Sequence, residues 1–154
     1  MRAFVATILA LVSFDMAAQP SIETMVAEVS DNVASEYAEC SAFFAITQGA
    51  LLSSGKDADA AKFKDASNQA AQFSLLAAKD SRSHEMATKV TLARIQMSMK
   101  DMQKTIENNY SNMSLLMTKH LEPCIEAMNG FAPLFQRWTE KIQQKYDKPA
   151  DKRK

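Results

Sequence analysis

The sequence predicts an all-α fold: an up-down-up-down four-helix bundle with a short fifth C-terminal helix and one interhelical disulfide. Three observations carry this expectation. Apolar residues recur at spacings of three and four along almost the whole chain, the period of an amphipathic helix. The 154 residues include only three glycines and four prolines, and no stretch alternates polar and apolar between hairpin turns. Cys40 and Cys124 are the only cysteines, one near each end of the periodic region.

The first eighteen residues stand apart. Arg2 is a positive start, residues 3–14 are an apolar run, and Ala17 and Ala18 supply small residues before Gln19 and Pro20. The run is shorter than the ~20 residues that span a bilayer, so residues 1–18 read as a signal peptide cleaved after Ala18. Met16 and Asp15 are unusual so close to a cleavage site. The expected location is therefore periplasmic or secreted, without stable membrane insertion. Residues 19–146 form the expected bundle domain, and residues 147–154, rich in lysine with one proline, a disordered basic tail. The chain carries 18 basic and 18 acidic residues. Removing Arg2 and Asp15 with the leader keeps them balanced, which gives no electrostatic case for nucleic acid.

In the first helix, Val26, Val33, Tyr37, Cys40, Phe44 and Leu51 share a stripe. Gly55 is the expected C-cap, and Asp57 the cap of the next helix. That second helix carries Ala60, Phe63, Ala70, Phe73 and Ala77; its many alanines favour helix and close packing. The polar stretch 79–83 turns the chain. The third helix is expected to face inward through Met86, Val90, Ala93, Met97 and Ile106. A fourth starts near Asn108 and Asn109 and is kinked or ended by Pro123, and a fifth follows Gly130. The pattern also allows one continuous helix from 83 to 121.

The cysteines arbitrate between these alternatives. In an oxidising compartment an even pair in a small domain is a disulfide. At 1.5 Å per residue, Cys40 lies about 21 Å above the bottom of helix one. A break near 108 returns Cys124 to nearly that height, whereas one long helix would carry it below the bundle.

Catalytic groups are scarce. His84 and His120 are the only histidines, and no nucleophile elbow, phosphate loop or zinc-protease motif occurs, so no enzyme activity is expected. Glu36, Glu39, Asp57 and Asp59 read as solvated faces or helix starts. Methionine is the sharper signal: seven of ten lie between residues 86 and 128. Thioethers select soft ions. Met113, Met117 and His120 share one face of helix four, and Met97 is expected opposite them, which makes the four a candidate copper or silver site. Packing of two helices explains the same residues, since methionine fills cores well. Haem held by His120 and a methionine fits less well, and no cofactor is expected.

The fifth helix presents Phe131, Phe135 and Trp138, followed by Ile142 and Tyr146. Such a face either caps the open end of the bundle or anchors a partner. The expected function is thus a non-enzymatic exported protein that binds another exported protein in the manner of an inhibitor or immunity protein, with a homodimer as a further expected association. The alternative is a soft-metal binder.

Overall fold

A computed structural model describes residues 20–147. The leader and cleavage site expected at 1–18, and residues 148–154 of the expected tail, lie outside the described residues. Five helices follow one another: α1 (Ile22–Ser53), α2 (Asp57–Lys79), α3 (His84–Thr105), α4 (Met113–Met128) and α5 (Phe131–Asp147), with a 3-10 turn (Tyr110–Asn112) before α4. No strand occurs among the described residues. The fold is a helical bundle, and α5 extends one residue into the segment expected to be tail.

Local chemistry sets the helix ends. The Ser21 hydroxyl accepts from the Thr24 amide at 3.1 Å and starts α1. At its other end Gly55 takes a left-handed conformation (φ 71°), and the Gly55 and Lys56 amides return to the Leu52 and Leu51 carbonyls at 3.0 Å each. This doubly bonded stop is the one Gly55 predicted. Asp57 does not cap α2: Lys56 occupies the cap position without a side-chain bond, and Asp57 and Asp59 sit in the first turn, where the helix dipole favours them. Ser83 caps α3. The continuous helix from 83 to 121 is excluded, because α3 stops at Thr105 and Glu107 and Asn108 both adopt φ of 55°. Their amides bond back to Lys104 and Gln103 at 3.0 and 2.9 Å, the same two-bond stop made without glycine. Pro123 sits inside α4 rather than ending it.

Packing centres on α1, and pairs of residues give its register. Against α2, Ser30 meets Asp80, Ala34 meets Ser74, Ser41 meets Ser67 and Phe44 meets Phe63, so the two helices run antiparallel. Buried Ala60, Ala70, Ala77 and Ala78 let them approach closely. The Ser74 hydroxyl donates to the Ala34 carbonyl at 2.7 Å across that seam. On the other flank, α4 pairs along the C-terminal half of α1 through Cys40–Cys124 and Tyr37–Ala127. Instead of capping the bundle end, α5 continues along the N-terminal half of α1. There Glu36 accepts from Trp138, and Glu28 from Tyr146.

The disulfide is present, with Cys40 and Cys124 Cα atoms 5.3 Å apart. It joins α1 to α4 inside a core that includes Val33, Tyr37, Phe43, Phe44, Ile106 and Leu116. Four stripe positions, on two helices, are corrected. In α1, Val29 is buried and Val26 is exposed. In α3 the inner face is Ala87, Thr91 and Met102, continued by Ile106 just past the helix end, whereas Met86, Ala93 and Met97 are exposed. Asp31 ties α3 and the turn before it to α1 by facing Arg94 at 2.7 Å and Arg82 at 2.6 Å. Burial pushes its carboxyl up, but the hydrogen bonds from Arg94 and Arg82 outweigh that and hold it below the usual range.

Candidate functional site

The sequence-predicted residues are distributed over three places. Met113 and Met117 line a crevice of about 430 Å³ between α1 and α4, together with Tyr110, Thr47 and Leu51. Tyr110 closes over Gly49 so tightly that a Cβ added there would lie 2.6 Å from the phenol oxygen. His120 does not open into that crevice. It is only 5% exposed, its ring lies against Phe43 at 5.8 Å, and its Nδ1 is 3.1 Å from a Glu39 carboxylate oxygen. Met97 joins neither group: it is 66% exposed on the outer face of α3. The structure therefore does not gather Met97, Met113, Met117 and His120 around one point.

Glu36 and Glu39, which look solvated in sequence, are working side chains. The hydrogen bond from His120 holds the Glu39 carboxyl below its ordinary value, against the opposing effect of burial. Glu36 accepts from the Trp138 indole at 2.8 Å and also pairs with Arg137. The two glutamates, His120, Trp138 and the disulfide border a second crevice, of about 360 Å³, where α1, α4 and α5 meet.

The aromatic face of α5 turns largely inward. Phe131 stacks on Tyr37 at 6.2 Å and on Phe135 at 5.9 Å, and Phe131, Phe135 and Trp138 all pack against the core while half-buried. Replacing Trp138 with alanine is therefore expected to destabilise the fold by about 2–3 kcal/mol, somewhat below the cost of a fully buried tryptophan. Urea unfolding measures this. A loss under about 0.5 kcal/mol would mean that the indole adds little to packing.

One apolar feature was not predicted. Between α2 and α3 runs a groove of about 170 Å³ walled by Ala71, Leu75, Leu92 and Ile95, with Thr88 and Thr91 beside them. Leu92 is 55% exposed, and Leu76 and Met86 add exposed apolar surface on the same two helices. In the sequence, Leu92 and Ile95 fall between the expected stripe positions Val90, Ala93 and Met97, which is the one local sign of a second apolar face.

Among the described residues, no three histidine, cysteine, aspartate or glutamate side chains gather as a metal site. No helix of the described residues is long and apolar enough to cross a membrane. No known protein family, curated protein or solved structure matches the chain, so its own residues carry the functional argument.

Proposed function

We propose that this chain is an exported, non-enzymatic helical module that binds another exported protein, as an inhibitor, immunity or accessory protein does. The observation that carries this reading is the α2–α3 groove. Its walls are apolar, no described element covers it, and Leu76, Met86 and Leu92 extend the apolar surface around it. Exposed apolar surface of this kind is favourable to bury and costs solubility while bare. The groove has room for one or two apolar side chains, which suits the edge of an amphipathic helix on the partner. The docking face thus moves from Phe131, Phe135 and Trp138, which the core already uses, to α2 and α3. Export is supported by the leader-like first eighteen residues and by the disulfide, which persists in oxidising compartments.

The test uses a photo-crosslinking side chain at position 92 and, as control, at the exposed position of Lys62, both in the exported compartment. An adduct with one exported protein from position 92 alone is expected. Leu92→Glu should then weaken the purified pair at least about ten-fold, or roughly 1.4 kcal/mol, without lowering the melting temperature. Equal adducts from both positions, or unchanged affinity in L92E, would sink the reading.

A further inference from the structure

We infer that a second copy of this chain covers the α2–α3 groove while no other partner holds it. The two copies meet face to face about a two-fold axis, with α3 antiparallel to α3 and α2 antiparallel to α2. The inference rests on the reading of this groove as a docking face and adds how that face is kept from water until a partner takes it.

Four charged residues frame the groove. On α2, Asp65, Gln72 and Lys79 are exposed and spaced seven apart. A heptad drifts only about 20° around a straight helix, so the three share one side. On α3, Glu85, Leu92 and Lys100 are exposed at spacings of seven and eight, which bracket two turns. Gln72 and Leu92 both line the groove. Each helix therefore carries one acidic and one basic residue, about 10–12 Å to either side of the groove's centre at 1.5 Å per residue.

The chain reverses at residues 80–83, so Lys79 and Glu85 lie at one end of the groove, and Asp65 and Lys100 at the other. The signs are thus crossed between the helices. A half-turn about an axis across both helices, at the level of Leu92, exchanges the two ends. It brings Glu85 of one copy to Lys100 of the other, and Asp65 to Lys79, and symmetry makes each pair twice. Leu92 meets Leu92 at the centre, with Leu76 beside it; these side chains are 55% and 56% exposed in the single chain. A patch whose charges complement themselves under a half-turn is what an isologous two-fold interface requires. The antiparallel helices also set their dipoles favourably.

The neighbouring charges do not oppose this arrangement. Among the described residues, Asp65, Lys79 and Lys100 make no ion pair within the chain. Glu85 holds only Lys89, at 2.6 Å, and both are well exposed. The same half-turn places Lys89 near the level of Gln96, and Lys64 at the level of Asp80, so no lysine of one copy is set against a lysine of the other. A partner protein that takes the groove then competes with the second copy, and the exposed leucines stay covered in either state.

The test is sedimentation equilibrium of the purified chain over about 1 μM to 1 mM, which needs no other protein. A monomer–dimer equilibrium is expected. Glu85→Lys and Lys100→Glu should each weaken the dimer at least about ten-fold, because symmetry applies each reversal twice. The combined swap E85K with K100E should restore it to within about three-fold of the unaltered chain. Lys62→Glu, on another side of α2, should leave it unchanged. Any effect on helix stability within one chain would accumulate in the combined swap, so the rescue separates an interface from a folding defect. A monomer throughout the range, single reversals without effect, or a combined swap as weak as the single ones would each overturn the proposal. Rescue by K79E with E85K instead would overturn the pairing of α3 with α3. A monomer would leave the crosslinking test of the docking face standing, so the two readings fail separately.

Discussion

Replacing Cys40 and Cys124 together with alanine is expected to cost about 4–5 kcal/mol of unfolding free energy, the loop-closure entropy set free in the unfolded chain. The sequence separation is 84 residues, which places the effect near the upper end for a single bridge. Total stability for a domain of this size is typically about 5–15 kcal/mol, so the variant should stand close to its unfolding limit. Urea denaturation of the oxidised protein and the double variant measures the difference. The urea m-value should also rise, because the unfolded chain without the bridge exposes more surface. A difference under about 1 kcal/mol would show that the unfolded chain is already compact near these positions, and that the bridge adds little.

The second large effect belongs to Tyr37. Its side chain has no exposed surface, its ring lies 5.1 Å from Phe73 and 6.2 Å from Phe131, and its hydroxyl donates to the Ala127 carbonyl at 3.0 Å. One side chain from α1 therefore contacts α2, the end of α4 and the start of α5. Burial, with Glu36 nearby, pushes the phenol pKa up, so the hydroxyl remains a donor at neutral and mildly alkaline pH. Tyr37→Ala should cost about 3–5 kcal/mol, the range for emptying an aromatic core position. Tyr37→Phe keeps the ring and should cost only about 1 kcal/mol for the lost hydrogen bond. The pair separates packing from hydrogen bonding. Equal losses in both variants would mean that the bond to the α4–α5 corner, rather than the ring, dominates.

Much of the fold was legible because its punctuation is local. Gly55 marks a helix stop through its left-handed backbone, and the polar turn before His84 contains the cap, Ser83. The stop after Thr105 was less legible, since Glu107 and Asn108 adopt the left-handed conformation without a glycine. Length arithmetic from the two cysteines located it, because only a broken helix returns Cys124 to Cys40. The phase of α3 was misjudged for a different reason. Its inner face carries small or polar residues, Ala87 and Thr91, while Met86, Leu92 and Met97 face outward. A stripe chosen by hydrophobicity therefore selects the wrong side. The same error affects the candidate metal ligand Met97, which the stripe placed opposite helix four and which lies 66% exposed on the outer face of α3. Glu36 and Glu39 were hidden because a helical glutamate looks solvated until a partner arrives from a distant segment. Trp138 and His120 supply those partners only through the tertiary fold.

The position of the bridge also divides the molecule into regions of unequal tethering. The covalent ring from Cys40 to Cys124 encloses all of α2 and α3, while the first half of α1 and all of α5 lie outside it. Those two arms lie against each other through Glu28 with Tyr146, and Glu36 with Trp138. Either arm can separate from the other without opening the ring. Amide protons of α5 are therefore expected to exchange through a partial opening of lower free energy than the global one, and those near Cys40 only with global unfolding. Such a gradient would make α5 the first segment released to a protease while the bridged part of the bundle stays folded.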